Sequence, residues 1–463
     1  MDYRTALDHL STLINHEARP RAGRVAGLSL DSMRRLTEAM GDPQRCYRVI
    51  HVTGTNGKGS TVRVAARLLQ EMGLRVGAYT SPHLVSPTER LSVDSEPIDE
   101  ESFGAAIGDV ARFVEHLRMR ATWFETVTAA ALQHFADVAV DVAVVEVGML
   151  GRFDATNIVE AEVAAITNVA RDHTDGVGDW RRAIAQEKAG IIKPGATVVC
   201  GETDPAMREI FRAEPHGAML ERGRDFAAER RRLTGHRWRA DLRTPYGCHE
   251  DVLMSLHGRH QLDNASLAVA AVEAFFEARL PDDVVEAALA GVRVPGRFEI
   301  VGAAGAAAGG RRSVPLVVLD GAHNPAGACA AAATLKEDFG PVGERFLVVG
   351  MQSGRDVAGV LEGLEAAEAD RVLCCTAPTA RGVPAAEIAA AAESMGAPAE
   401  AIDDVGAALA RALRLAESVL EAAAPDSANP PAVIVTGSFT VIGAAKVALE
   451  SRACGESVGG VRR

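Results

Sequence analysis

No run of apolar residues in this chain approaches the roughly 18 that a membrane-spanning helix needs, and that excludes the class. Positive charge is short as well: 49 lysines and arginines stand against 62 aspartates and glutamates, a net −13. There is no global basic footprint for nucleic acid, and the acidity favours solubility without naming a partner. Cysteine pairing signals are missing. The seven cysteines (Cys46, Cys200, Cys248, Cys329, Cys374, Cys375 and Cys454) are scattered, with no CxxC. An odd count without a framework reads as reduced thiols in a cytosolic protein. The opening MDYRTALDHL is acidic and amphipathic, which is wrong for a signal peptide, so a cytoplasmic location is expected. Aromatics make up only 4 % of the chain, and no internal repeat is visible.

What is present is aliphatic. Hydrophobic residues reach 48 % of 463 positions, enough for a sizeable core, and the length calls for two or three domains. RVIHVTG (48–54) is a short apolar run ending in glycine, read as a buried strand, and STVRVAARLLQEMGL follows at helical spacing. RVGAYTSPHL, VTAAALQHFAD, VDVAVVEVG (140–148) and VAAITNVARDH continue as strand, helix, strand, strand. This βαβ alternation predicts a parallel sheet covered by helices. The polar, arginine-rich segment 223–256 reads as a β-hairpin excursion. GAAGAAAGGRRS (302–313) reads as a loop or linker. Beyond it, VPLVVLDGAHNPAG, RFLVVGMQ, DRVLCCTAP and PAVIVTGSF are four more strands, each leading to a loop and a helical pattern. The expected layout is an α/β P-loop domain over 1–298 and a smaller, Rossmann-like α/β domain over 299–463.

HVTGTNGKGS (51–60) carries the first chemistry. The common phosphate loop is G-x-x-x-x-G-K-[ST]. Here Val52 stands where its first glycine belongs, and Gly54 opens a loop two residues shorter. Gly54, Thr55, Asn56, Gly57, Lys58, Gly59 and Ser60 still suit an anion: glycines let backbone N–H groups close on phosphate, a helix N-terminus favours negative charge, and Lys58 reaches the terminal phosphates. The plain alternative is a glycine-rich turn. Glu146 ends a strand buried on both faces, where a lone carboxylate is costly unless it is paired or holds a metal.

TGTNGKGS resembles the Mur ligase superfamily and, within it, the folylpolyglutamate synthase/dihydrofolate synthase family. Six further segments fall in that family's order: YTSPHL (79–84), TWFETVTAAA (122–131), VVEVGMLGRFDATN (144–157), TNVARDHTDGVGDWRRAIAQEKAGIIKPG (167–195), HGRHQLDNASLAVAA (257–271), and VPGRFE with LDGAHNP (294–299 and 319–325). TGSFTVIG (436–443) resembles the segment lining the glutamate side. The resemblance implies a Mur-ligase-type ATPase domain and a C-terminal domain closing over ATP and glutamate. It implies Ser81 and Glu146 as ligands of one Mg2+, and Glu146, His173 and a CO2-derived carbamate on Lys188 as ligands of a second, with K+ a further candidate. Asn264 would meet the nucleotide, Asp320 its ribose, and Arg297 and His323 its phosphates. Leu28, Ser29, Leu30, Thr122, Trp123, Phe124, Glu125, Phe153, Asp154 and Ala155 would line the acceptor, and Ser438 the glutamate. Read without the family, Ser81 is a Ser-Pro turn, Lys188 a solvated charge, Asp154 a cap or turn residue, and Ser438 part of a common Thr-Gly-Ser turn. Leu150 departs from the pattern, standing where the family usually has glycine.

The implied reaction joins L-glutamate to the carboxylate of dihydropteroate or a reduced folate, using ATP to form an acyl phosphate. The enzyme would act as a monomer on small molecules, with no nucleic acid or membrane partner. Two rivals stand beside it. One is the same chemistry on another acceptor, such as a cell-wall nucleotide precursor, although only about 50 residues precede the phosphate loop and leave no room for that group's extra N-terminal domain. The other is a non-catalytic nucleotide-binding protein, which would not need Glu146, His173, Lys188, Arg297 and His323 together.

Overall fold

The computed structural model describes residues 1–15, 29–171, 178–301, 314–422 and 429–459, with side chains described to residue 452. Leu28, His173 and the stretch 302–313 lie outside the described residues. The chain divides into two compact units, Met1–Val294 and Pro295–Arg463; the sequence put the division at 298/299.

In the first unit the helices α1 (Tyr3–Thr12) and α2 (Asp31–Ala39) precede β1 (Arg48–Thr53) and α3 (Lys58–Glu71). There follow β2 (Val76–Tyr79), β3 (Leu91–Val93), β4 (Glu96–Pro97), α4 (Glu100–His116), α5 (Trp123–Asp137), β5 (Val142–Glu146) and β6 (Val163–Ile166). The unit continues with α6 (Trp180–Ala189), β7 (Thr197–Cys200), α7 (Pro205–Arg212) and β8 (Ala218–Glu221). It ends with β9 (Ala227–Thr234), β10 (Arg237–Thr244), β11 (Gly247–Leu253), α8 (Arg259–Phe276) and α9 (Asp282–Gly291).

The main sheet has the order β4-β3-β2-β5-β1-β6-β7-β8. Its last six strands are parallel, while β3 and β4 run antiparallel at one edge. The sheet is therefore mixed where the sequence predicted a parallel one. The edge hairpin turns through Asp94 and Ser95, both at positive φ (52° and 71°), the geometry of a two-residue hairpin turn. No glycine marks that turn, so the sequence hides it.

Alternation along each central strand decides which core a side chain joins. Ile50, Val52, Val142 and Val144 face α3, α8 and α9, while Val49, Ala143 and Val145 face α4 and α5. Each strand is buried on both sides, as helix-covered parallel strands are. A third cluster, around Ile166, Ile184, Ile191 and Phe211, seats α6 and α7.

The arginine-rich excursion is a three-stranded antiparallel sheet, β11-β10-β9, where a hairpin was expected. Its inward residues Phe226, Ala228, Ala240, Leu242 and Val252 extend the core over α8. His249 on β11 fastens it further. Its Nε2 lies 2.9 Å from the fully buried Glu273 of α8, and its Nδ1 lies 2.7 Å from Asp282 at the start of α9.

The second unit runs β12 (Glu299–Ile300), β13 (Leu316–Leu319), α10 (Pro325–Phe339), β14 (Arg345–Val349), α11 (Val357–Gly363), β15 (Arg371–Cys374), α12 (Ala385–Ser394), β16 (Ala399–Ala401), α13 (Val405–Ala422), β17 (Ala432–Thr436) and α14 (Phe439–Gly459). Its sheet order is β12-β13-β17-β14-β15-β16, parallel except for β12. This is a doubly wound sheet, and β17 fills the point where strand order reverses. β16 and the two-residue β12 escaped the sequence reading. The first is only Ala-Glu-Ala, with no β-branched residue to announce it.

His249→Leu takes one of three hydrogen-bond partners from the buried Glu273, which keeps Thr244 Oγ1 and Leu280 N as donors. It is expected to cost about 1–3 kcal/mol, read as a lower midpoint in urea unfolding. A loss below about 1 kcal/mol would mean that apolar contacts alone hold the excursion.

Candidate active site

Four neighbouring parallel strands of the first unit, β2, β5, β1 and β6, deliver their chemistry at the same end. The phosphate loop follows β1, Ser81 follows β2, Glu146 closes β5, and Thr167 follows β6. Ligands of open parallel sheets bind outside the carboxyl ends of strands.

The loop's conformation requires its glycines. Gly54 has φ +149°, and a Cβ there would fall 1.7 Å from Thr167 Oγ1. Gly57 has φ +87°, and a Cβ would fall 2.4 Å from Asn264 Oδ1. Asn264, on the second turn of α8, thus lies directly over the loop, with its Nδ2 donating to Gln261 Oε1 at 2.9 Å. The segment after β6 clamps the other side. Thr167 Oγ1 and Asn168 Nδ2 both donate to the Asn56 carbonyl, at 2.7 and 3.0 Å. Asn168 returns the contact, accepting from Asn56 N at 3.1 Å through Oδ1 and from Thr55 N at 3.0 Å through its carbonyl. Lys58 opens α3, and its Nζ donates to the carbonyls of Gly54 and Thr55 at 3.1 and 3.3 Å.

Glu146 is buried, and its Oε2 accepts from Ser81 N at 3.2 Å. It also limits Gly59, whose Cβ would come 3.4 Å from the same oxygen. One turn further along α3, Arg63 sets a positive charge toward Glu146 and Glu89, while burial pushes its guanidinium down. Lys188, on the last turn of α6, is buried too. Burial, first, and the charge of Lys58, second, hold its ammonium well below the usual lysine range, and Asp154 opposes them. Such a setting favours the neutral amine over the ammonium. Among the described residues no three His, Cys, Asp or Glu gather as a metal cluster, and His173 is not among them. The donors that are present, a buried carboxylate and a serine, are oxygen ligands of the kind Mg2+ takes while keeping several waters, so they fit that ion.

The residues expected to line the acceptor divide between exposed and structural settings. Thr122 and Glu125 form a reciprocal cap at the start of α5: Glu125 Oε2 accepts from Thr122 N at 2.7 Å, and Thr122 Oγ1 accepts from Glu125 N at 3.2 Å. Trp123 is buried under the Arg90 guanidinium, 4.5 Å from its ring centre. The Phe124 ring fills the space that a glycine at 148 leaves open. Ser29 Oγ accepts from Asp31 N at 3.0 Å, while Leu30 and Ala155 are buried. Phe153 is exposed. Asp154 builds its own loop: its carboxylate accepts from Met149 N at 2.8 Å, Thr156 N at 3.0 Å and Thr156 Oγ1 at 2.5 Å. Burial nonetheless pushes its pKa up. Leu150 sits at φ +63°, the left-handed region that a glycine adopts without penalty. The backbone keeps the glycine-like shape, pinned where Thr53 Oγ1 donates to the Leu150 carbonyl at 2.8 Å.

In the second unit Arg297 and His323 stand against Phe439, which follows Ser438 in the chain. Arg297 lies over its ring at 4.6 Å, His323 stands 6.1 Å from it, and Gly321 leaves room for its edge. Asp320 accepts from Phe298 N at 2.8 Å and Ala322 N at 2.9 Å. His323 Nδ1 donates to the Gly321 carbonyl at 2.8 Å. Ser438 follows β17, and its Oγ accepts from Thr440 N at 3.1 Å. Arg355 and Arg381 form a further pair: Arg381 donates to the Ser353 carbonyl at 2.8 Å, and burial with its neighbouring charge pushes Arg355 down to about 10.

Residues 52–272 match the Mur ligase middle domain, and residues 296–438 the Mur ligase glutamate ligase domain. The chain is 37 % identical to the dihydrofolate synthase/folylpolyglutamate synthase of Mycobacterium tuberculosis, over 90 % of this chain and 89 % of that one. The chain belongs to the folylpolyglutamate synthase/dihydrofolate synthase family of Mur ligases. It is a ligase. The Escherichia coli enzyme is 31 % identical over 88 % of each chain. Folylpolyglutamate synthase of M. tuberculosis, solved with ADP, superposes with a TM-score of 0.85 at 35 % identity, covering 96 % of this chain and 98 % of that one. E. coli FolC with DHPP and ADP superposes at 0.81 and 29 % identity, covering 98 % and 99 %.

Within this family frame, sequence reasoning passed over Thr167 and Asn168, which brace the phosphate loop, as well as Arg63, Phe439 and the Arg355–Arg381 pair. Thr167 and Asn168 share a segment with His173 and Lys188, and nothing local in the sequence marks them as partners of the loop. Among the described residues no helix is long and apolar enough to cross a membrane.

Gly54→Ala is expected to weaken ADP binding by at least about tenfold, measured by titration calorimetry. Leu150→Gly relieves a left-handed leucine worth roughly 1–2 kcal/mol but loses its contact with the core around α6. The two effects offset, so denaturant unfolding should change by less than about 1 kcal/mol.

Proposed function

We propose that this ligase joins L-glutamate to the carboxylate of a folate-type acceptor, dihydropteroate or a reduced folate, with ATP converted to ADP and phosphate. The observation that carries the reading is the convergence of the phosphate loop, Ser81, Glu146 and Lys188 at one end of the first unit's sheet. Similar enzymes support it: one was solved with DHPP and ADP, and another with Mn, AMPPNP and L-glutamate.

A carboxylate is a poor electrophile, and its approach to a triphosphate sets like charges together. The loop's N–H groups and the start of α3 favour the phosphates. Lys58 exchanges its loop carbonyls for the terminal phosphate oxygens and offsets charge in transfer to the acyl phosphate. Ser81 and Glu146 hold Mg2+, which when bound neutralises phosphate charge. The Lys188 amine would add CO2 with loss of a proton, giving a carbamate whose oxygen could join Glu146 as a metal ligand; His173, the further expected ligand, lies outside the described residues. Asn264 and Asp320 meet the nucleotide, and Arg297 and His323 its phosphates. Ser29, Leu30, the 122–125 cap and the exposed Phe153 would line the acceptor, with the Asp154 carboxylate facing a pterin N–H; Leu28, expected beside them, lies outside the described residues. The amine of glutamate then attacks the acyl carbon and releases phosphate. Two close, desolvated guanidiniums, Arg355 and Arg381, suit a carboxylate of that glutamate, beside Ser438.

Phosphate release with L-glutamate and ATP, run with 7,8-dihydropteroate, with tetrahydrofolate and with neither, tests the reading, with product masses taken in parallel. One glutamate gained on either acceptor is expected, and no gain on both sinks the folate assignment. Because burial lowers the Lys188 pKa, its share of neutral amine is raised, and that share falls as pH falls. Stripping CO2 is therefore expected to cut activity, more so at low pH, with recovery on adding bicarbonate. Activity indifferent to CO2, with no carbamate signal from carbon-13-labelled bicarbonate, would remove that ligand.

A further inference from the structure

β1 presents two polar side chains, His51 and Thr53, on the same face as Val49, which that face gives to an apolar cluster. His51 is fully buried in strand register between Val145 and Ala164. An imidazole in such a layer is costly unless its polar atoms are used. One is used. His51 Nε2 lies 3.0 Å from Thr156 Oγ1, and Thr156 Oγ1 lies 2.5 Å from Asp154 Oδ1.

The direction of each bond follows from hydrogen counting. A carboxylate only accepts, so the single hydroxyl hydrogen of Thr156 goes to Asp154. Thr156 Oγ1 must then accept from His51, and Nε2 carries the ring hydrogen. Nδ1 is left as a bare lone pair, and it is buried without a partner. Burial, with a lesser push from Lys193, lowers the His51 pKa to about 3, so the ring stays neutral at working pH. Bonds in such a chain polarise one another, and the middle hydroxyl donates better because it also accepts.

We infer that His51 and Thr156 are positioning residues that act through Asp154, fixing the direction of its carboxylate and thereby the enzyme's hold on the acceptor's nitrogen-rich ring. This rests on the proposed acceptor role of Asp154. His51 and Thr156 touch neither substrate nor nucleotide in this scheme. Their effect belongs to acceptor binding and not to phosphate transfer.

Thr156→Val removes only the hydroxyl and keeps the shape, while Thr156→Ser restores it. Thr156→Val is expected to raise the acceptor KM by about tenfold or more, the worth of a hydrogen bond to a charged group, with kcat, the ATP KM and ADP affinity within about twofold. Thr156→Ser should return the acceptor KM to near wild type. His51→Leu should match Thr156→Val, and the double variant should add little to either. Asp154→Asn, run beside them, separates the two ideas. If Asp154→Asn raises the acceptor KM and Thr156→Val does not, the relay is wrong and the acceptor reading stands. If Asp154→Asn has no effect on the acceptor KM, the acceptor reading fails, and the relay fails with it. Equal losses in acceptor and ATP parameters for Thr156→Val would make the chain a structural brace, which overturns the proposal. Should His51→Leu not fold, the Thr156 pair decides alone.

Discussion

The carbonyl of Asn56 accepts from two side chains of one neighbouring strand's exit, Thr167 and Asn168, and much of the first unit's chemistry depends on that tether. A phosphate loop binds by presenting N–H groups inward, so its carbonyls must be occupied on the outside. Here the occupant is the adjacent parallel strand. The same tether brings the loop close enough that only glycine fits at 54, and Asn264 imposes the same condition at 57 from above. The loop is shaped by its surroundings as much as by its own residues.

Charge is arranged around this loop in opposed pairs. Burial and then the charge of Lys58 lower the protonation of Lys188, whereas Asp154 opposes them, and Arg63 faces Glu146. Such a balance favours an uncharged lysine amine in the interior without leaving a bare carboxylate beside it. It also explains why the buried carboxylate at the end of β5 is tolerated: a backbone N–H, a guanidinium and a helix start all face it.

Much of this was legible in the sequence. Strand–loop–helix order around Gly54 to Ser60, the twice-buried strand before Glu146, and the second run of strands all read correctly, because parallel strands buried on both faces leave long aliphatic runs. What stayed hidden depends on contacts far apart in the chain. The Asp94–Ser95 turn lacks glycine, the third strand of the excursion is polar on its outer side, and Thr167 acquires a role only when β6 lies against β1. Phe439 sits next to a residue that was singled out, yet a single phenylalanine after a strand gives no sign that Arg297 and His323 will meet on it. Leu28 and His173 fall outside the described residues. For Asp154 the plain turn reading is the one its bonds to Met149 and Thr156 display.

Leu150 has a wider bearing. A leucine held in a glycine's backbone conformation means that the loop's shape is imposed from outside, by Thr53 and by the Asp154 contacts, and not by the local preference of the residue. Positions of this kind can drift during evolution, because the tethers absorb the strain of a poorer residue. A signature that demands glycine there would pass over enzymes whose loop geometry is intact. Family membership judged by the tethering partners, Thr53 on one strand and Asp154 on the loop, would be the more durable criterion.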